Sequence, residues 1–166
     1  MLDQSIGTLL NAQYEKELFL AYLYLDMANF YDNQTLGGFS NWFYVQAQRE
    51  RDHALLIRHY LLASGEKIDS GAIPSPGKKY DSAKAPLDEA LAQERAVTES
   101  IRNIYTVANE EKDLWTRQFL DWFVTEQIEE EKNMRALIER YDLLASDPNG
   151  LCQLNKELKA RVYTPL

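Results

Sequence analysis

Four long stretches of helical periodicity, joined by two short links and one long one, restrict the folds open to this chain more than any other feature. Apolar residues recur with the spacing of amphipathic helices, and no stretch shows the Val/Ile alternation typical of strands. Gly37 and Gly38 are expected to end the first helix and Gly65 the second. Asp113 is expected to cap the start of the fourth. The predicted helices cover residues 3–31, 39–64, 86–111 and 114–145.

The lengths of the links predict how these helices pack. Each helix would be roughly 40 Å long, so a link of a few residues brings its two helices together as an antiparallel hairpin. The link of residues 65–86 holds three glycines and three prolines and is long enough to run the length of a bundle. The sequence therefore predicts a single all-α domain over residues 1–166. It would be a four-helix bundle at about 3–145, with a long crossover between helices two and three and a short fifth helix at about 151–160.

Composition disfavours several classes of protein. The 18 basic and 26 acidic residues give a net charge of −8, which disfavours nucleic-acid binding and favours cationic partners. No apolar run approaches the roughly 20 residues that cross a bilayer, and no secretory signal is expected at the N-terminus. Cys152 is the only cysteine, so one chain provides no internal disulfide, CxxC zinc site or iron–sulfur site. These features are compatible with a protein of the reducing cytoplasm that has no membrane partner.

Each long helix carries a glutamate near its middle, at a position where the neighbouring residues of the same face are apolar. A single glutamate of this kind usually lies at the edge of the core with its carboxylate in water. Burying four together is costly, because isolated ions are poorly solvated in a core and like charges repel. A pair of multivalent cations removes that cost, whereas protonation needs large upward shifts of several pKa values. The four residues are Glu17, Glu50, Glu94 and Glu130.

His53 indicates which metal these carboxylates suit. It follows Glu50 by three residues, so both side chains project from one face of a helix and can hold one ion. An oxygen-rich ligand set with one imidazole suits iron better than zinc or calcium. The fourth helix does not repeat the pair, because Gln127 precedes Glu130 and no histidine follows. The two ions are then inequivalent, which favours a site that loads and releases iron. His59 lies off this face and is expected at the surface.

These residues lie in four blocks that together resemble the bacterial non-haem ferritins, which are iron-storage proteins. The blocks are "NAQYEKELFLAYLY", "QAQRERDHALLI", "LAQERAV" and "FLDWFVTEQIEEEKN", and the last is the most specific. The resemblance covers nearly the whole chain and implies the ferritin-like form of the four-helix bundle. It also implies a ferroxidase centre for two iron ions. The first ion would be bound by Glu17, Glu50 and His53. The second would be bound by Glu50, Glu94 and Glu130, with Glu50 bridging the two.

The resemblance assigns further residues to the surroundings of this centre. Gln127 would lie close to the second ion, and Tyr24 would be an adjacent hydrogen-bonding and one-electron partner. Members of this type often have a third iron site toward the cavity, which here would use carboxylates near Glu126, Glu129 and Glu130. Arg49 stands where those members carry a glutamate, and its charge can pair with Glu126 or Glu129. A third site is therefore expected to be weak or absent.

The activity that the resemblance implies is oxidation of Fe(II) by dioxygen or peroxide, followed by deposition of ferric mineral. The family assembles as a hollow shell of 24 identical subunits, with the fifth helix lining channels. In bacterioferritin, the haem-binding relative, the haem methionine would fall near Asp52, so no haem is expected here.

Two other functions stay open at the level of sequence. One is a di-iron redox enzyme of the rubrerythrin or oxygenase type, which stores no mineral. The missing second Glu-x-x-His pair and the single cysteine argue against it. The other is a purely structural shell subunit whose acids nucleate mineral without an oxidation centre. The complete set of four glutamates and one histidine argues against that function.

Overall fold

Five helices contain most of residues 2–166, which are the residues that the computed structural model describes. The helices are α1 (Gln4–Asn33), α2 (Gly37–Ala63), α3 (Ala85–Glu110), α4 (Leu114–Leu144) and α5 (Pro148–Leu158). Across that range no residue is in a strand. The chain packs α1 with α2, α3 with α4, and α1 with α3, while α5 contacts α2 and α4. The predicted all-α four-helix bundle with a short fifth helix is confirmed.

The link between α2 and α3 follows α1. Near its start, the side chain of Asn11 exchanges two hydrogen bonds with the backbone of Asp69, at 2.8 and 3.2 Å. Near its end, the hydroxyl of Tyr31 donates to the carbonyl oxygen of Ala83 at 2.6 Å. These two anchors on α1 are about 30 Å apart along the helix axis. The link therefore runs the length of the bundle, as its length predicts.

The start of α2 differs from the sequence-based expectation. Gly37 and Gly38 do not end α1, which stops at Asn33; they form the first turn of α2. Their backbone must come close to α5, because the side chain of Asn155 accepts hydrogen bonds from the N–H groups of Gly38 and Phe39 at 2.7 and 3.3 Å. A Cβ atom on Gly38 would lie 1.6 Å from the carbonyl oxygen of Asn155. The glycine thus serves a contact between helices.

Capping residues explain the end of α2 and the starts of α4 and α5. Asp113 caps α4 as predicted, accepting from the N–H of Thr116 at 3.0 Å. Gly65 follows the end of α2 with a φ of +80°, also as predicted. The prediction for α5 was wrong by three residues at its start, because Asp147 caps it and Pro148 takes its first position. The segment "SDPNG" therefore both ends α4 and begins α5.

Apolar side chains fill both ends of the bundle and leave a polar layer between them. At one end Tyr31 stacks on Phe39 and Phe43, with ring centroids 5.2 and 5.5 Å apart. Aliphatic residues such as Ile6 and Ile57 are fully buried toward the other end. Among residues 2–166, no helix has the length and apolar character that a membrane crossing requires.

Candidate metal centre

The polar layer in the middle of the bundle is built from all four long helices. Each contributes buried side chains that are at most 3% exposed. Helical periodicity turns these positions inward, since each lies on the same face as the apolar core residues of its helix. The structure thereby brings together six residues singled out in the sequence: Glu17, Glu50, His53, Glu94, Gln127 and Glu130.

The first group of potential ligands is Glu17, Glu50 and His53. One ligand atom from each lies within 4.8 Å of the others. Nδ1 of His53 is 3.0 Å from Oε2 of Glu50 and 3.9 Å from Oε2 of Glu17. Gln13 donates from Nε2 to the other oxygen of Glu17 at 2.6 Å. Oε2 of Glu17 is buried and has no hydrogen-bond partner within the described chain. An unpartnered carboxylate oxygen in this layer fits the binding of a cation such as Fe(II). Nε2 of His53 is also unpartnered, but it faces Glu126 at 4.0 Å.

The second group is Glu50, Glu94 and Glu130, whose ligand atoms also lie within 4.8 Å of one another. Glu50 therefore belongs to both groups. The hydroxyl of Tyr24 donates to Oε1 of Glu94 at 2.5 Å. Nε2 of Gln127 donates to Oε2 and to the carbonyl oxygen of Glu94, both at 3.2 Å. Tyr24 and Gln127 thus both touch the second group.

Two buried glutamines in this layer were missed in the sequence. Gln46 donates from Nε2 to Glu50 and to Glu130, at 2.7 Å in each case. Gln13 donates to Glu17. Each glutamine precedes a candidate ligand by four residues on the same helix face, and this Gln-x-x-x-Glu spacing in α1 and α2 is the signal that identifies them.

Arg49 lies against the second group. Its Nε and Nη2 atoms donate to Oε1 of Glu130 at 3.1 and 3.0 Å, and Nη2 also pairs with Glu126. Glu126, Glu130 and His53 form a third set of clustered ligand atoms. The guanidinium group therefore sits where a third cation would bind. Glu129 points elsewhere and pairs with Lys132 on the exposed face of α4, at 3.4 Å.

Burial and mutual repulsion shift the pKa values of this layer. Burial, with the charge of Glu50, raises the pKa of Glu17 to about 8 and places that of Glu94 well above its usual range. Burial also raises the pKa of Glu130. Burial alone would lower the pKa of His53, but the neighbouring carboxylates, chiefly Glu50, raise it to about 10. Burial opposes ionisation of Glu50, yet the charge of His53 and hydrogen bonds with His53, Glu17 and Gln46 together lower the pKa of that carboxyl. The metal-free layer thus holds protons that a cation would displace.

Other polar and aromatic side chains lie around this layer. Asp52 is largely buried and accepts hydrogen bonds from Tyr163 and Arg51, at 2.5 and 3.0 Å. Trp122 packs edge-on against His53, with ring centroids 5.5 Å apart. His59 is exposed, as predicted.

Comparison with known proteins places this architecture in a family. The model of the Ferritin family, described as a ferritin-like domain, matches residues 7–144. The chain belongs to the ferritin family. It is 36% identical over 163 residues to the bacterial non-heme ferritin of Staphylococcus saprophyticus, a match that covers 98% of each chain.

Solved ferritin structures share the fold of this family member. An engineered closed form of the Archaeoglobus fulgidus ferritin is 35% identical and superposes with a TM-score of 0.96, covering 99% of this chain and 100% of that one. The open-pore ferritin of Archaeoglobus fulgidus is also 35% identical, with a TM-score of 0.95 over 97% of this chain and 98% of that one.

Proposed function

We propose that this chain is an iron-storage ferritin with ferroxidase activity. Two Fe(II) ions would bind as substrates, one at Glu17, Glu50 and His53 and the other at Glu50, Glu94 and Glu130. Dioxygen or hydrogen peroxide would oxidise both ions, and the ferric product would be deposited as mineral. The single observation that carries this proposal is Glu50, which contributes ligand atoms to two buried groups at once. A shared carboxylate holds two metal ions close enough to act on one oxidant molecule.

The chemistry balances with the groups present. Two Fe(II) ions each give up one electron, and one dioxygen molecule takes both electrons and two protons to become hydrogen peroxide. With hydrogen peroxide as oxidant, the same two electrons and two protons yield two water molecules. Glu17 and His53, whose pKa values are about 8 and about 10, hold protons in the metal-free layer. Those protons leave as the ions bind, so ligand ionisation and metal loading are one event.

The unequal ligand sets favour turnover of iron over permanent retention. The first group contains an imidazole, whereas the second contains only carboxylates and has the fixed positive charge of Arg49 against Glu130. Like charges repel, so the second ion is held less firmly. This inequality argues against the alternative of a di-iron redox enzyme, in which both ions are a resident cofactor.

Storage also requires a shell. We propose a homo-oligomer of 24 subunits in the cytoplasm, with α5 at its channels. Several large apolar side chains are exposed on the isolated chain, among them Trp115 at 74%, Ile128 at 62% and Leu143 at 77%. Apolar surface of this kind is expected at contacts between subunits. The net charge of −8 suits an iron cargo and argues against nucleic-acid partners.

The test is aerobic addition of Fe(II) to the metal-free protein, followed by ferric absorbance. His53→Ala should slow oxidation strongly, and His59→Ala, the same change at an exposed position, should leave the rate unchanged. Equal rates for His53→Ala and the wild type would show that the centre is misplaced. Light scattering after size exclusion tests the shell, since a small oligomer contradicts storage. Oxidation that stops at about two retained ions per chain would favour the redox-enzyme alternative.

A further inference from the structure

Gln46 lies between the carboxylates of the second group and the segment that follows α5. Its Nε2 donates to Oε1 of Glu50 and Oε2 of Glu130, both at 2.7 Å. Its Oε1 accepts from Nη2 of Arg161, also at 2.7 Å. The side chain is buried, with 1% of its surface exposed. Both ends of the amide are therefore engaged: the nitrogen by the carboxylates and the oxygen by the guanidinium.

Arg161 is itself held in place on the opposite side of Gln46. Its Nη1 donates to the carbonyl oxygen of Trp42 at 3.0 Å, and its guanidinium carbon lies 4.3 Å from the centre of the Trp42 ring. Farther along the segment, the hydroxyl of Tyr163 donates to Asp52 at 2.5 Å. Nδ2 of Asn41 on α2 also donates to the carbonyl oxygen of Arg161 at 3.0 Å. The segment after α5 is therefore fixed along α2 at several points, and of these only the side chain of Arg161 touches the amide of Gln46.

Charge selects one orientation of this amide. A reversed amide would set its oxygen against Glu50 and Glu130 and its hydrogens against Arg161, so every contact would become unfavourable. In the observed orientation a donor faces two carboxylates and an acceptor faces a cation, which is the stronger kind of hydrogen bond. Arg161 and the carboxylates thus reinforce the same arrangement.

We propose that Gln46 is a positioning residue that holds Glu50 and Glu130 together as ligands of the second iron ion, and that Arg161 fixes its amide. This inference rests on the proposed function. Each carboxylate oxygen has two lone pairs, so the hydrogen bond from Gln46 leaves one free for a metal ion. The amide oxygen of Gln46 faces Arg161 and not the ions, so this residue acts through Glu50 and Glu130. Partners of this kind, which orient metal ligands, typically change affinity about 10- to 100-fold when removed.

The test measures the binding of two Co(II) ions to the full-length, metal-free protein without oxygen, by calorimetry and visible absorbance. Gln46→Leu removes both donors at similar volume. It should weaken the second binding step about tenfold and the first step less, because two of the three second-group ligands lose their positioning bond. Arg161→Met keeps the aliphatic length over Trp42 and touches no carboxylate, so it also serves if Gln46→Leu fails to fold. It should weaken the second step in the same direction but less.

A double-mutant cycle separates positioning from general support of the fold. If Arg161 acts through Gln46, the double variant should bind the second ion no more weakly than Gln46→Leu alone. Tyr163→Phe is the matched control, because it releases another anchor of the segment without touching Gln46. It should leave both binding steps unchanged.

Three results would overturn the inference. They are an unchanged second step in Gln46→Leu, a tighter second step, and additive losses in the double variant. A tighter step would mean that Gln46 competes with the metal ion. Failure of the wild type to bind two ions would instead overturn the proposed function, so the two failures are distinguishable.

Discussion

The two helical hairpins of this bundle follow one plan with different donors. In each, the first helix supplies one glutamate and the second helix supplies two polar residues three positions apart. The α1–α2 hairpin provides Glu17, then Glu50 with His53. The α3–α4 hairpin provides Glu94, then Gln127 with Glu130. An imidazole and a carboxylate in one half therefore face an amide and a carboxylate in the other.

The hydrogen-bond partners of the ligand atoms also differ between the two halves. In the first, Oε2 of Glu17 has no hydrogen-bond partner among residues 2–166. In the second, the oxygens of Glu94 and Glu130 accept hydrogen bonds from neutral side chains and from Arg49. An unpartnered oxygen can accept a cation without losing a hydrogen bond, whereas the charge of Arg49 opposes a cation at the second group. Under the proposed function, the first half would therefore hold its ion more firmly than the second.

The largest effect is expected from the residue that the two halves share. Glu50→Ala removes a ligand from both groups, so initial ferroxidase rates should fall by more than about 100-fold. This loss exceeds the usual effect of removing a residue that only hydrogen-bonds to a metal ligand. Glu139→Ala, the same change on the exposed face of α4, is the control and should match the wild type. A Glu50→Ala protein that keeps half of the wild-type rate would show that the groups work independently.

The second prediction separates the halves by pH. Below pH 8, both Glu17 and His53 hold protons in the metal-free chain, because their pKa values are about 8 and about 10. A cation that binds the first group displaces both protons, so its affinity should rise about 100-fold per pH unit there and about tenfold per unit between pH 8 and pH 10. The second group has raised pKa values at Glu94 and Glu130 but no imidazole, so its affinity should also rise with pH, without the proton that His53 contributes.

Co(II) titrations at several pH values, with proton release followed in weakly buffered solution, check this prediction. The raised pKa values mean that protons must leave for metal to bind, so affinity has to increase with pH. Affinity for the first ion that stays constant across the titration range would contradict the assigned protonation.

How much of this asymmetry the sequence reveals depends on how local the signal is. The helices and the inward positions of Glu17, Glu50 and His53 follow from periodicity, since spacing along one helix decides which face a residue occupies. Gln46 escaped notice because a glutamine beside an apolar face is ordinarily a boundary residue. Arg161 lies 115 positions away from Gln46 in the chain, and no periodic pattern in the segment after α5 predicts the contact.

The start of α2 shows the same limit. A glycine pair after a helix ordinarily ends it, and nothing local distinguishes a glycine required by a turn from one required by a close approach. At Gly38 the decisive partner is Asn155 of α5, which reaches it only in the folded chain. The reason for a glycine at this position is therefore a contact between distant segments, which a local sequence pattern does not predict.

The third prediction concerns Arg49, whose positive charge lies against the second group. Arg49 bridges Glu126 and Glu130, so wild-type crystals soaked in Fe(II) should show no fully occupied ion between these two carboxylates. Arg49→Glu replaces the cation with a ligand and should add about one bound ion per chain at this position. Arg49→Met, which removes charge without adding a ligand, should add less. Full occupancy in the wild type would refute the assigned role of Arg49.

The smallest effect is expected from Tyr24, which comes from α1 but touches the second half. Its hydroxyl donates to Oε1 of Glu94 at 2.5 Å inside the core. Tyr24→Phe removes this bond, which is worth about 0.5–1.5 kcal/mol, so the second ion should bind about two- to tenfold more weakly. The first ion should bind as before, because neither Glu17 nor His53 contacts Tyr24 through a hydrogen bond in the described chain.

Anaerobic Co(II) titration measures this difference, and Tyr14→Phe, the same change at another largely buried position of α1, is its control. Equal weakening of both ions would mean that Tyr24 supports the bundle and not Glu94. Oxidation at saturating Fe(II) gives the second reading. If the hydroxyl only holds Glu94, the rate recovers once both positions are filled, because excess iron offsets a weaker affinity. If Tyr24 also supplies an electron, saturation cannot restore the wild-type rate, since phenylalanine has no hydroxyl to oxidise.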